Sequence, residues 1–506
     1  MNRTISFIFT FLLCYLQMFS QNNNLQEKVA STASDPVFSQ SLIGICVRTC
    51  DGQTIAEADS RKMLVPASNM KLISTGAALH HLGPDYRFRT EIGYDGEISN
   101  GILHGDLYII GGGDPLLGSK DSIAVKIETV FKEWEKLIRQ AGIRRIEGHI
   151  IGDGRWLDGM AEEPTWLWND IGTYYGTGLS GLCFYENMQS FSVSPGPETG
   201  TPVKISPSYP ECPWMEFRYN CTTGEKGTGD MLYMYTCDLA PIAEIRGTFG
   251  VDRGKKRVDC SNKFPEYTCA EYFKTYLDKK GIRCSEGASD FRLKGHRKPE
   301  SNIRILGGTY SPSLERIVFE TNHASNNLFA DMLMRTLGKE LRGSSCADSS
   351  RLAMNDVLKS IGTDLSYGQK ICDGSGLSRQ NYISPDFICR FLTSMMGSPH
   401  FEEYLNSLPV PGGNGSLNYN MKNVPLNIRS RIRVKSGSMN GVRCYSGYIL
   451  PEGYTVTPGQ DIPESIKNQI IIFSIMTNNC TSPNWKVRPM LDRLMEDIAG
   501  YRPTCQ

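Results

Sequence analysis

Ser68 and Lys71 stand at i and i+3 in the stretch Val65 to Gly76, VPASNMKLISTG. If that stretch opens a helix, the two side chains share a face and the amine reaches the hydroxyl. A serine hydroxyl is a weak nucleophile by itself, and a neutral lysine beside it can accept its proton. Neutrality near pH 7 requires desolvation of the lysine or a second cation close by. A helix N-terminus would also favour the negative charge developing at the serine and its substrate. Alone the pair is a weak signal, because a chain of 506 residues holds about one or two by chance. A capping serine and a solvated lysine explain an isolated match better.

Two further groups change that balance. Ser325-Asn326-Asn327 lies near the start of a helical pattern, and Lys435-Ser436-Gly437-Ser438 lies on a strand pattern. Ser-x-Asn is uninformative alone, since Ser416 and Ser482 also begin such a triplet, but Lys-[Ser/Thr]-Gly occurs once. Other chemistries fit less well. The chain has no Gly-x-Ser-x-Gly elbow, no HExxH and no Walker A sequence. His323, two residues before Ser325, reads as packing or capping, and Gly111 to Pro115 (GGGDP) reads as a turn.

The elements that must hold these residues are legible at coarse grain. A strand over 41–49, a turn and a returning strand precede a buried helix from Ser68, with Leu72, Ile73, Gly76, Ala77 and His80 on one face. From about Phe88 the pattern changes to short strands with Gly-rich turns, a helix over 122–140 and loop-heavy β structure over 166–241. A helix over 264–281 follows. The first pattern returns near Ile303, with a helix over 323–338, a turn at DGSGLS (Asp373 to Ser378) and a helix begun by Ser384 and Pro385. Strands around Lys435 and over 469–478 and a helix over 487–500 close the chain. Both ends therefore build one sheet, and the middle is inserted into it.

Composition narrows the class. With 40% hydrophobic residues in 506, the chain can form two or three domains of roughly 150–200 residues. Basic and acidic residues number 54 each, giving zero formal net charge, and no like-charged run follows a phosphate backbone. A nucleic-acid partner is not expected. The N-terminus carries one Arg before an apolar run from Ile5 to about Phe19. That run is shorter and more interrupted than the roughly 20 residues that span a bilayer, so it reads as a signal peptide removed near Ser20. An uncleaved anchor and lipidation at Cys14 are the rivals, the second opposed by Leu13 where a small residue is wanted. Of sixteen cysteines, fifteen lie beyond that segment, an odd number for which buried thiols mixed with a few disulfides are expected. Without a CxxC, zinc is not.

The ordered set Ser-x-x-Lys, Ser-x-Asn and Lys-[Ser/Thr]-Gly, with PASNMK, GDLYIIGGGDP, WNDI, ENMQSFSV, SNNLFADML, DGSGLSR and KSGSMNG around it, resembles the D-alanyl-D-alanine carboxypeptidases and endopeptidases of the class C low-molecular-weight penicillin-binding proteins. The resemblance covers nearly all of the chain beyond the signal. It implies an α/β (α+β) fold in which an antiparallel five-stranded sheet flanked by helices is interrupted by two inserted, mainly β domains. The expected division is a peptidase domain over 25–90 and 305–506, inserted domain II over 91–121 and 200–304, and inserted domain III over 122–199. The resemblance makes Ser68 the acylated nucleophile, Lys71 its general base, Ser325 a proton relay and Asn327 the holder of Lys71 and the substrate amide. Lys435 would supply positive field, Ser436 and Ser438 hydrogen bonds to a terminal carboxylate, Gly437 the rest of that motif, and the N–H groups of Ser68 and Ser438 an oxyanion hole. Asn326 stands where many members have Asp, and Ser436 where many have Thr. Glu186 and Asn187 fall in the segment that overhangs the cleft in the branch. The implied partners are peptidoglycan stem peptides, cross-links and β-lactams, in the periplasm or cell envelope, with neither metal nor cofactor. A β-lactamase or esterase of the same fold, and a non-catalytic wall-binding module, are the alternatives.

Overall fold

The computed structural model describes residues 24–297, 302–365 and 368–502. The expected signal peptide and Cys14 lie outside them. The chain divides into two compact units, the first holding the described residues up to Asp85, Ile317–Met334 and those from Arg351 on, the second Tyr86–Arg316 and Arg335–Ser350.

The first unit is built on one five-stranded sheet in the order Ile432–Met439, Val442–Ile449, Ile471–Asn478, Leu42–Thr49, Thr54–Ala58. Every neighbouring pair is antiparallel. Its strands come from the two ends of the chain, as the sequence pattern implies. The period-two alternation of a strand assigns each face. Ile43, Ile45 and Val47 point into a core shared with Leu25 and Val29 of the helix over 24–33 and with Leu491, Leu494 and Ile498 of helix Asn484–Gly500. The intervening Cys46 and Arg48 face helix Pro385–Met395, where the Arg48 guanidinium pairs with Asp386. That helix is capped by Ser384, whose hydroxyl accepts from the Phe387 N–H.

Helix Met70–Leu82 is buried on every side from Met70 to Leu79 rather than along one face. Apolar and small residues occupy its whole circumference, which is the pattern of a helix enclosed within a domain. Tyr404 reaches its backbone from helix Phe401–Asn406, donating to Leu72 O at 3.0 Å.

The second unit contains a five-stranded sheet ordered Ala288–Asp290, Ile150–Asp153, Leu107–Ile110, Arg89–Tyr94, Arg304–Tyr310, and a four-stranded one ordered Arg283–Cys284, Arg145–Ile146, Ile102–His104, Glu97–Ser99. Their core takes Phe131 and Trp134 from helix Ile127–Gln140 and Phe273 and Leu277 from helix Pro265–Lys279. Two three-stranded sheets between Met188 and Ser261 enclose a separate core around Phe191, Ile245 and Phe249. The strands do not follow the expected inner boundaries at 122 and 200. Ile150–Asp153 pairs in parallel with Leu107–Ile110, and Met188–Ser194 pairs with both Lys204–Tyr209 and Lys256–Ser261. Nor do 305–316 and 335–350 group with the sheet of the first unit: Arg304–Tyr310 pairs with Arg89–Tyr94, and Arg335 is bridged to Glu163 at 3.2 Å.

The burial along strand Leu42–Thr49 is testable. Ile45→Ala should lower the stability of the first unit by about 2–5 kcal/mol, as for a fully enclosed aliphatic side chain, because Ile45 is 0% exposed. Leu42→Ala, on the same strand but 40% exposed, should cost less than about 0.5 kcal/mol. Equal losses in urea titrations of the two variants would contradict this difference in burial between the strand's middle and its end.

Candidate active site

Ser68 sits in a 3-10 turn, Ala67–Asn69, that runs directly into helix Met70–Leu82. The turn is entered through Ala67 in the left-handed region at φ 46°, a conformation an alanine holds only when its surroundings impose it. One imposing contact is Asn69, fully buried, whose Nδ2 donates to Ser446 Oγ at 2.6 Å. Ser446 in turn donates to Ser474 Oγ at 2.9 Å, and the two serines are cross-strand partners. The turn is thus pinned to the middle of the sheet.

Lys71 is 0% exposed. Its Nζ donates to Ser68 Oγ at 2.9 Å, Asn327 Oδ1 at 2.6 Å and Ser375 O at 2.9 Å. These three acceptors match the three protons of an ammonium. In the neutral amine, two protons suffice for the Asn327 and Ser375 oxygens and the lone pair is left facing the Ser68 hydroxyl. Burial lowers the Lys71 pKa to about 8, against the pull of the Asp331 and Asp373 carboxylates.

The expected helix over 323–338 is broken. Helix Leu314–Ala324 stops, Ser325 takes φ 59°, and helix Asn327–Arg342 begins. An unbroken helix would place residues 325 and 327 about 200° apart around its axis. The break lets both face the lysines: Asn327 contacts Lys71, while Ser325 Oγ accepts from Lys435 Nζ at 2.9 Å. Asn326 turns away and caps the new helix, its Oδ1 accepting from the Phe329 N–H at 3.2 Å.

Lys435 lies on the edge strand Ile432–Met439, 0% exposed, and also donates to Ser436 O at 2.9 Å. Burial and then the charge of Lys71 hold its pKa well below the usual lysine value. A charged Lys71 therefore favours the neutral form of Lys435. Gly437 permits the close approach of this strand: a Cβ there would lie 2.6 Å from Pro66 O and 3.1 Å from the Ser68 nitrogen. Ser438 is exposed, and its hydroxyl oxygen accepts from the Arg443 guanidinium on the adjacent strand.

Every residue of the three motifs therefore lies in the first unit, and Lys71 and Lys435 link Ser68, Asn327 and Ser325 directly. Sequence reading missed three participants. Arg443 carries no motif signal. Asp331 was discoverable, since it stands at i+4 from Asn327 on one helix face. The Ser375 carbonyl belongs to the DGSG turn, whose glycines hinted at close packing. His323 stacks flat on Phe319 with ring centroids 3.9 Å apart, and burial and the charges of Lys435 and Arg433 hold it neutral, with a pKa of about 4.

Glu186 and Asn187 are buried in a left-handed turn of the second unit, where Ser119 donates to Glu186 at 2.7 Å and Asn187 donates to Gly178 O at 3.0 Å. These bonds suit a structural turn. Elsewhere in that unit one atom each of Asp106, His149 and His296 fall within 4.8 Å of one another. Asp106 already accepts from the His149 backbone N–H at 2.6 Å and faces His296 Nε2 at 3.1 Å, and the cleft that the two histidines line also carries Glu271, Glu286, Lys274, Lys294 and Arg297. The fourteen described cysteines are free thiols, not the expected mixture with disulfides. Several satisfy themselves on nearby carbonyls, as Cys221 does on Ile245 O at 2.9 Å.

The chain is similar to several known proteins. Over 448 residues the chain is 27% identical to the D-alanyl-D-alanine carboxypeptidase of Actinomadura sp. (strain R39), covering 85% of this chain and 79% of that protein. It is 26% identical over 453 residues to penicillin-sensitive carboxypeptidase A of Dictyostelium discoideum, covering 85% and 81% respectively. The fold matches the crystal structure of penicillin binding protein 4 (dacB) from Haemophilus influenzae with a TM-score of 0.76 at 18% identity, over 95% of this chain and 98% of that one. Residues 25–495 match the D-Ala-D-Ala carboxypeptidase 3 (S13) family, and the chain belongs to that family.

Proposed function

We propose that the chain is a serine D-alanyl-D-alanine peptidase that trims peptidoglycan stem peptides and opens their cross-links, working in the periplasm or cell envelope after export. Among the described residues no helix is long and apolar enough to cross a membrane. The observation that carries the proposal is the 2.9 Å contact between the Ser68 hydroxyl and a wholly buried lysine.

Lys71 in its neutral form takes the Ser68 proton as Oγ attacks the carbonyl carbon between the two D-alanines. The N–H groups of Ser68 and Ser438 stabilise the oxyanion, since Gly437 brings the edge strand against Ser68. The C–N bond breaks as the proton that Lys71 took is relayed through Ser325, itself bonded to Lys435, to the departing D-alanine amine. Water then attacks the acyl-enzyme and releases the shortened peptide with the Ser68 hydroxyl restored. Asn327 holds Lys71 and orients the substrate amide. The carboxylate of the terminal D-alanine meets Lys435, whose ammonium it stabilises on arrival, and the hydroxyls of Ser436 and Ser438. The Ser438 oxygen accepts from Arg443, so its proton is left to donate. A β-lactam acylates the same serine and leaves slowly. Acylation belongs to the first unit.

Intact-mass measurement after mixing with penicillin should show one long-lived adduct on the wild type and none on Ser68→Ala. The Ser68 variant should also lose D-alanine release from a peptide ending in D-Ala-D-Ala by about 10³-fold or more. A short-lived adduct with steady drug loss would instead identify a β-lactamase, and no adduct with no D-alanine release would leave a wall-binding module.

Because Lys71 acts in its deprotonated form, the acylation rate should rise with pH and level off above a midpoint near pH 8. Lys71→Arg cannot lose its charge near that pH and should acylate at least about 10³-fold more slowly at every pH from 6 to 9. A pH-independent rate in the wild type would remove Lys71 from the role of base.

A further inference from the structure

The Lys71 amine feels a buried carboxylate that belongs to none of the three motifs. Asp331 is 3% exposed, one helical turn beyond Asn327. Its Oδ1 accepts from the Gly374 N–H at 2.7 Å and from the Ser375 N–H at 2.9 Å. Those two amides belong to the turn whose Ser375 carbonyl accepts from Lys71 Nζ. Asp373, in the same turn, accepts from the Gly376 N–H at 2.8 Å and the Asn381 amide at 2.8 Å, which closes the turn on itself. The turn has no slack on either side. A Cβ at Gly376 would sit 1.8 Å from Ala67 O, beside the nucleophile, and one at Gly374 would sit 2.4 Å from Ala330 O, on the helix that carries Asn327 and Asp331.

We infer that Asp331 is a positioning residue for Lys71: by clamping the Gly374 and Ser375 amides it fixes the Ser375 carbonyl against the lysine amine and, when ionised, supplies a buried countercharge to it. Helix Asn327–Arg342 thus acts on Lys71 twice, directly through Asn327 and one turn later through Asp331 and the loop. Two acceptors with fixed positions on a neutral amine also fix its lone pair, and here the remaining direction is that of the Ser68 hydroxyl. The charged groups that face this spot are Lys71 from the nucleophile helix, Asp373 from the turn and Lys435 from the edge strand. Ionised Asp331 raises the basicity of Lys71, although burial and the Asp373 charge push its own pKa up to about 8, so its charge and its hydrogen bonds have separable effects.

The inference rests on the acylation chemistry proposed above, and its test separates the two. Acylation by penicillin is followed against pH for the wild type, Asp331→Ala, Asp331→Asn and Gly374→Ala, with rates divided by the fraction of molecules that react. Asp331→Asn keeps the acceptor and loses the charge, so its plateau rate should stay within about tenfold of wild type while its midpoint moves to lower pH by about one pH unit. Asp331→Ala loses both and should drop the plateau by about 10²-fold, the usual cost of a misplaced catalytic group. Gly374→Ala displaces the turn and keeps the charge, and should lower the rate without lowering the midpoint. A merely structural Asp331 would reduce the reacting fraction and leave the rate per reacting molecule and the midpoint unchanged, which would overturn the inference. If Asp331→Ala does not fold, the Asn and Gly374 variants carry the same distinction. If the wild type forms no adduct, the acylation reading fails first; a ¹⁵N NMR titration of Lys71 Nζ in wild type and Asp331→Asn then tests the action of Asp331 on Lys71 without acylation, and an unchanged midpoint overturns the inference.

Discussion

The first unit is organised around one expensive requirement, an amine removed from water yet left able to give up its proton. Desolvating an ammonium costs several kcal/mol, and that cost is what lowers the Lys71 pKa to about 8. The site must offset enough of it to keep the helix buried, but not so much that the charged form wins. Three oxygens do the first task, from Ser68, Asn327 and Ser375. Burial itself does the second, outweighing the Asp331 and Asp373 carboxylates, and the neighbouring Lys435 is held well below the usual lysine value by its own burial and by the Lys71 charge.

Satisfying one side chain from so many directions dictates backbone conformations that no local preference would choose. Ala67 and Ser325 both adopt positive φ, at 46° and 59°; the first precedes the nucleophile Ser68 and the second is itself a motif residue. Such strained positions survive where surrounding contacts over-determine them. Around Ala67 those contacts are the Asn69 anchor into Ser446 and the close passage of Gly376 and Gly437. Around Ser325 they are the hydroxyl bond from Lys435 and the cap that Asn326 places on the next helix. The motif glycines are therefore steric conditions for assembling the site, alongside residues that carry charge or protons.

The second unit shows different economics. It buries polar groups for shape: Lys263 is 1% exposed at its side chain and bridges to Glu162 at 2.9 Å, while donating to Ile171 O at 2.7 Å. Burial lowers that lysine too, but a carboxylate faces it directly and no hydroxyl awaits its lone pair. The contrast with Lys71 is instructive, since burial alone does not make a lysine a base. What distinguishes Lys71 is the company of an exposable nucleophile and of acceptors that leave one direction open.

Much was determined by the sequence itself. The short apolar runs over 41–49 and 469–478 specified strands, bounded as they are by turn signals, and both are buried on the two faces of the sheet. The order and spacing of Ser68, Lys71, Ser325, Asn327 and Lys435 identified the chemistry, because few reactions need that set. Tertiary structure alone decided the rest. The helix break at Ser325 follows from a lysine on a distant strand, and helical periodicity through 323–338 carries no trace of it. The parallel pairing of 107–110 with 150–153 and the grouping of 335–350 with the insertion arise from contacts between segments far apart in the chain. Asp331 acquires its role only when a loop more than forty residues later folds onto it, for hydrogen bonds to backbone amides leave no signature in the type of residue that donates them.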